Sequence, residues 1–189
     1  MFHELEKSEL LYFSGVTLSL YKDAALKYLL NFLTGYRRQS GPVAFDSNYR
    51  PQRRPDRQRA ETIYQDFYRQ EVDLALPTLE DDVALFNLST PEALLEKLAS
   101  LGVSEVVIKQ GPKGSLVNAE PGMGEAAIAV PAVEIAKVVD TTGAGDSFNG
   151  GYLSARIKGE SILEAARKGH RFAAQVIQYR GAVVPIDLS

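Results

Sequence analysis

Short apolar, β-branched or aromatic runs alternate along this chain with longer stretches in which apolar residues recur every three or four positions. That alternation marks strand–helix–strand units built around a parallel sheet. Residues 10–14 (LLYFS) predict a strand ending at Gly15. Over 22–38, Ala25, Leu26, Leu29, Leu30 and Leu33 fall at helical spacing and predict a helix with one apolar face. Residues 42–46 (PVAFD) predict a second strand, 56–70 a second helix with Ile63 and Phe67 inward, and 72–76 a third strand. Residues 78–82 read as a polar turn, and Thr90 followed by Pro91 predicts a helix start running to about Leu101. Residues 105–109 (EVVIK) carry apolar residues for both faces, as a central parallel strand requires.

The pattern changes over 111–130, where glycines at 111, 114, 122 and 124 alternate with short runs (SLVN, AAIAV) that predict a hairpin. Val138, Val139 and Asp140 then predict a short strand before a glycine-rich turn, followed by helices over 144–158 and 161–179. No repeat or low-complexity segment interrupts the series. The 189 residues fit a single α/β domain, 1–189, with a core of its own.

Composition removes several classes of function. The absence of cysteine excludes disulfides, thiolate metal sites and cysteine nucleophiles. With 21 basic against 24 acidic residues, the chain lacks the basic footprint of a nucleic-acid binder. No apolar run approaches the roughly 18 residues of a membrane span, and the acidic start, MFHELEKSELLYF, lacks the layout of a signal peptide. The expectation is a cytoplasmic protein without membrane or nucleic-acid partners.

Four segments at predicted strand ends carry candidate chemistry. In Asp140-Thr141-Thr142-Gly143-Ala144-Gly145-Asp146, small residues at a helix start leave backbone N–H groups open to a phosphate, and Asp146 sits where it can take a proton. Equally, Asp146 is a favourable helix-start carboxylate, and the glycines only shape a turn. The spacing is not that of a Walker loop. Lys109-Gln110-Gly111-Pro112-Lys113-Gly114 follows a central strand, where ligands of open parallel sheets gather; a plain hairpin entry is the alternative. In Asp46-Ser47-Asn48-Tyr49-Arg50, an extended loop would point Asn48 and Arg50 to one side, able to grip an oxyanion. Carboxylates in Thr78-Leu79-Glu80-Asp81-Asp82 suit a hydrated Mg²⁺, or Thr78 and Asp81 a capping box. The four segments are expected to converge on one edge of the sheet. Residues 50–59 hold five arginines, read as a solvated loop and helix start unless Arg50 faces an anion. His3 and His170, far apart, read as structural or surface residues rather than a metal pair.

D-T-T-G-A-G-D-S-F-x-x-G-Y, from Asp140 to Tyr152, resembles the C-terminal signature of the PfkB (ribokinase-like) carbohydrate kinases. F-D-x-N-x-R-P from Phe45 and K-x-G-x-x-G from Lys109 resemble further landmarks of that family, in the same order. The tail from Gly169-His170-Arg171 to Gly181-Ala182 is most similar to the branch acting on 2-keto-3-deoxygluconate. The resemblance implies a Rossmann-like three-layer α/β/α domain of the ribokinase fold, mostly parallel, with the N-terminal part and lid missing. It implies ATP-dependent phosphorylation of a sugar acid. The other readings are a different sugar kinase of the family, such as a fructokinase, and a non-catalytic nucleotide-binding fragment. By resemblance Asp146 is the base that deprotonates the sugar hydroxyl, and Gly143, Ala144 and Gly145 form the anion hole under the transferring phosphate. Lys109, Gly111 and Gly114 border the ATP, as does the helix after His170. Asn48 and Arg50 lie near phosphate and sugar acid, with Arg50 meeting the substrate carboxylate. Asp81 stands in a departure from the family's N-x-x-E motif and would reach Mg²⁺ through water, and a monovalent cation would sit near Asp140 and Thr142. Absent N-terminal strands would leave a sheet edge uncovered, a reason to expect self-association.

Overall fold

The structure, a computed structural model, describes residues 2–118 and 127–186 and divides into two compact units, the first of residues 2–108 with Asn118 and the second of residues 109–117 and 127–186. The first opens with a single turn, α1 (Phe2–Leu5), and then winds β1 (Leu11–Ser14), α2 (Gly15–Leu20), α3 (Asp23–Gln39), β2 (Val43–Asp46), α4 (Arg57–Glu71), β3 (Leu74–Ala75), α5 (Leu79–Phe86), α6 (Pro91–Ser100) and β4 (Glu105–Lys109). The strands pair in parallel in chain order, Phe13 opposite Phe45, Phe45 opposite Ala75, and Ala75 opposite Val106. All four residues of β2 are buried, as are Val106, Val107 and Ile108 of β4. Successive strand residues point to opposite faces, so both faces of these strands are covered.

One face is filled by aromatic rings. Phe13 stacks on Phe45 at 4.6 Å, and α4 lays Tyr64, Phe67 and Tyr68 against the pair, with Tyr68 edge-on to Phe45 at 5.1 Å. Such contacts add to the apolar area that these rings remove from water. At the amino ends of the strands Asp73 acts as a staple. Its carboxylate accepts from Val43 N–H at 2.9 Å and Arg37 Nε at 2.8 Å, and its carbonyl accepts from Ser104 and Glu105 N–H at 3.2 and 3.0 Å. That compensates for a third strand of only two residues, where five were predicted.

Other boundaries follow their caps. The Asp56 side chain accepts from Arg59 N–H to begin α4, and Thr90 accepts from Ala93 N–H at 3.1 Å ahead of Pro91. The first strand ends at Gly15 as predicted, and a short helix, α2, begins there; the 78–82 turn is instead the first turn of α5, with Thr78 as N-cap. The Thr78 side chain makes no capping bond, so the capping box does not form. The arginine-rich segment is not merely solvated. Arg54 donates to the carbonyls of Leu18 and Tyr21, Arg57 to Leu85 carbonyl at 2.8 Å, and Arg59 pairs with Asp23 at 2.6 Å, bracing neighbouring elements.

The second unit begins at Lys109, the last residue of β4, and holds a 3₁₀ turn at Gly111–Lys113, the antiparallel strands β5 (Ser115–Asn118, all but its last residue) and β6 (Ile128–Val130), and helices α7 (Ala144–Ile157) and α8 (Ile162–Val176). The predicted hairpin is present, with Gly122, Gly124 and Ala126 outside the described residues. The strand predicted at Val138–Asp140 is not formed. Both valines are exposed, and the backbone N–H groups of Val139 and Asp140 instead reach Ile177 carbonyl. Glycines let α7 and α8 approach closely: a Cβ on Gly169 would stand 2.8 Å from the Phe148 ring, and one on Gly151 3.1 Å from Gly169 Cα.

Candidate functional site

The turn before α7 is organised by Asp140. Its carboxylate accepts from Thr142 N–H at 2.9 Å, Thr142 Oγ1 at 2.7 Å and Gly181 N–H at 2.9 Å. These donors, the Gly181 amide foremost, hold its pKa down at about 2. Gly143 is the N-cap of α7 with φ +80°, and a Cβ there would lie 2.8 Å from Ala182 Cβ, so both backbone and space demand glycine. Ala144 and Gly145 open the helix, and Asp146 stands exposed in its first turn. The helix start therefore offers small residues and the positive end of the dipole, with a carboxylate beside them, while the Ala144 N–H donates to Thr141 carbonyl at 3.1 Å.

Lys109, at the carboxyl end of β4, is buried, and its ammonium donates to Asn149 Oδ1 at 3.1 Å. The same nitrogen is 3.8 Å from where a Gly145 Cβ would be, so a fixed positive charge lies against the turn. Gly111 and Gly114 both have positive φ but serve differently. A Cβ on Gly114 would fall 2.1 Å from Val130 carbonyl, so that glycine permits hairpin closure, whereas Gly111 faces open space.

In the first unit, Asn48 and Arg50 follow β2. The extended loop predicted for them is not observed. Asn48 has φ +35°, and its N–H donates to Asp46 Oδ1 at 3.2 Å. This bend is within the reach of asparagine because the residue before it but one supplies a carboxylate for a local turn. Asn48 Oδ1 is buried without a hydrogen-bond partner among the described residues. Arg50 Nη1 donates to Asp81 Oδ2 at 2.9 Å, so the arginine expected at an anion and the carboxylate expected at a hydrated metal are paired with one another. Among the described residues no group of three or more His, Asp or Glu is placed to hold a metal ion. A cleft of about 970 Å³ opens at the amino ends of the strands, lined by Arg37, Glu71, Asp73 and Ser104, and includes none of the candidate residues.

Some residues that shape these places carry no sequence signal of their own. Asn149, one turn after Asp146, holds Lys109; Asp82, beneath Asp81, accepts from the Ser47 hydroxyl. His170 is structural, as the sequence suggests: it is buried against the Phe148 ring at 4.8 Å and bonded to Ser115 Oγ at 2.9 Å, and burial pulls its pKa down to about 4. His3 is exposed beside Glu6.

Comparison with known proteins is consistent with this arrangement. The profile of the pfkB family carbohydrate kinases matches residues 2–188. The 2-dehydro-3-deoxygluconokinase of Dickeya dadantii is 40% identical over 186 residues, which cover 97% of this chain and 59% of that protein. The chain thus spans about three fifths of the length of the curated relatives it matches. Among solved structures, a PfkB protein from Polaromonas sp. JS666 superposes with TM-score 0.77 at 25% identity, over 93% of this chain and 55% of that one. The fructokinase of Vibrio cholerae, solved with fructose, ADP and calcium, superposes with TM-score 0.80 at 24% identity, over 93% and 56%. With a family match over nearly its whole length, and an α/β architecture shared with the ribokinase-fold structures, the chain belongs to the pfkB family of carbohydrate kinases.

Proposed function

We propose that this chain carries the phosphoryl-transfer machinery of a cytoplasmic kinase that uses ATP to phosphorylate a sugar acid, 2-keto-3-deoxygluconate, at its terminal hydroxyl. The observation that carries the reading is the turn at 140–146: a carboxylate-tethered loop, a glycine at φ +80°, small residues at the start of a 14-residue helix and an exposed Asp146 beside them. In this reading Asp146 takes the proton of the acceptor hydroxyl while that oxygen forms a bond to the γ-phosphorus. The bond from phosphorus to the β–γ bridging oxygen breaks, and ADP leaves. The amides of Gly143, Ala144 and Gly145, with the Lys109 ammonium close by, stabilise charge on the transferring group, the Ala144 N–H exchanging its bond to Thr141 carbonyl for one to phosphate. Gly111, next to that lysine and open, borders the nucleotide, as does α8. Arg50 meets the substrate carboxylate with its fork of donors, and the buried Asn48 amide supplies a further polar contact.

The residues fit a nucleotide phosphate better than they fit a resident metal. Mg²⁺, when bound with the nucleotide, neutralises phosphate charge; Asp81 is the carboxylate assigned to its waters, and it is engaged by Arg50. A monovalent cation near Asp140 and Thr142 would share a carboxylate that already accepts three hydrogen bonds. The 40% identity to a 2-dehydro-3-deoxygluconokinase supports the sugar acid over a neutral sugar. The test is a coupled assay of the chain with ATP, Mg²⁺ and 2-keto-3-deoxygluconate, with fructose as the neutral acceptor, beside a nucleotide titration. Phosphorylation selective for the acid is the expected result. Preference for fructose would overturn the substrate, and nucleotide binding without any turnover would make the chain a binding module instead.

A further inference from the structure

Two side-chain links join the loop after β2 to the start of α5, across more than thirty residues of sequence. The outer one is the Arg50–Asp81 ion pair, with side chains 47% and 25% exposed. The inner one runs from the Ser47 hydroxyl to Asp82 Oδ2, and both residues are fully buried. An exposed pair of this kind is weak, because water and salt screen it and two long side chains lose freedom to make it. A buried hydrogen bond to a carboxylate is stronger, and either partner alone would be left desolvated and unsatisfied. The inner link therefore fixes the geometry, and the outer one follows from it.

The surroundings of Ser47 leave it one position. A Cβ on Gly15, at the start of α2, would fall 1.8 Å from the Ser47 carbonyl oxygen and 2.1 Å from the Tyr64 hydroxyl, so backbone and ring close on the loop from that side. On the other, Tyr68 is buried facing Asp82 and Asp46, and burial first, then those charges, raise its hydroxyl pKa well above the usual value. Directly after Ser47 the chain takes the left-handed bend at Asn48 and delivers Arg50 to the surface.

We infer that Asp82, acting through Ser47, is the positioning residue that sets where Arg50 presents its guanidinium. Its relevance to substrate rests on the assignment of Arg50 to the sugar acid, but the positioning itself does not. The test is made on the ligand-free full chain by NMR of the arginine guanidinium N–H groups, the Nη–H of Arg50 above all since Nη1 is its bonded nitrogen, with Arg50 assigned by its loss in Arg50→Lys. Arg37, whose Nε donates to Asp73 at 2.8 Å at the far ends of the strands, is the internal control. Ser47→Ala and Asp82→Asn should each speed hydrogen exchange at Arg50 roughly 3- to 10-fold and shift its resonance, leaving Arg37 unchanged. An Arg50 signal unmoved in both variants overturns the inference. So does an equal change at Arg50 and Arg37, which would mark a general loss of stability. If Ser47→Ala fails to fold, Asp82→Asn decides the matter by the same two signals, and Ser47→Thr, which keeps the hydroxyl, should leave Arg50 as in the natural chain. A calorimetric titration with 2-keto-3-deoxygluconate separates the two readings. Looser Arg50 with undiminished affinity for the acid would remove Arg50 from the carboxylate while leaving its positioning by Asp82 intact.

Discussion

Asp146 and Arg50 are asked to do different things, and single substitutions tell them apart. Asp146→Asn keeps the shape and hydrogen-bonding reach of the side chain but cannot take a proton. Whatever turnover the enzyme supports should fall by roughly 10² or more, with nucleotide affinity little changed; near-normal turnover would show that another group accepts the proton. Arg50→Lys keeps the charge and loses the planar fork. Affinity for the sugar acid should then suffer more than affinity for fructose, while equal losses for both would assign Arg50 to phosphate. The helix start was legible in the sequence because its chemistry is local: the Asp140–Asp146 run has it written into its small residues. Asn149 under Lys109, and Ser47 under Asp82, were not. Each pair is joined across at least 35 positions, and a serine or an asparagine has no pattern that names its partner.

At the level of elements, periodicity and caps located most of the first unit's helices and strands, and misjudged those whose state is decided by neighbours. The strand expected at Val138–Asp140 has suitable residues, but its amides are taken by the end of α8 at Ile177, so it has no ladder to join. Helix α2 is six residues long and begins with glycine, too short for an apolar period to show. The α7–α8 contact depends on missing side chains. Gly169→Ala should destabilise the protein by about 1–3 kcal/mol through overpacking on Phe148, read as a lower denaturation midpoint at unchanged m-value. The bond from α8 to β5 through His170 brings a pH dependence. In the folded state burial lowers this pKa to about 4 from 6.5, so below pH 6.5 the unfolded chain binds a proton that the folded one refuses. Stability is therefore complete above pH 6.5 and declines as pH falls towards 4. Denaturation midpoints measured over that range should slope less in His170→Gln than in the natural chain, and identical slopes would discount the histidine.

At the scale of the whole molecule, β1, α2 and α3 of the first unit, with the residue after α2, carry exposed apolar side chains: Leu20 is 67% exposed, Tyr28 65%, and Tyr12 and Tyr21 about 40%. Tyr12 lies on β1, which among the described strands pairs only with β2. Sheet edges and apolar patches of this kind favour association. The chain should sediment with a concentration-dependent mass greater than one copy, and Leu20→Lys with Tyr28→Lys should reduce it; a single mass at all concentrations would show the patch to be inert. The staple at Asp73 bears on a different matter, the order in which the chain takes shape. It ties residue 43 to residue 73, and residue 73 to residues 104 and 105, two closures of about thirty residues each. Loops of that length cost little more entropy to close than shorter ones. A polypeptide emerging from the ribosome can thus fix the alignment of three strands as soon as Glu105 is available, before the turn at 140–146 has emerged. The register of these strands has no need to wait for that turn, and an error in the later segment would leave it intact.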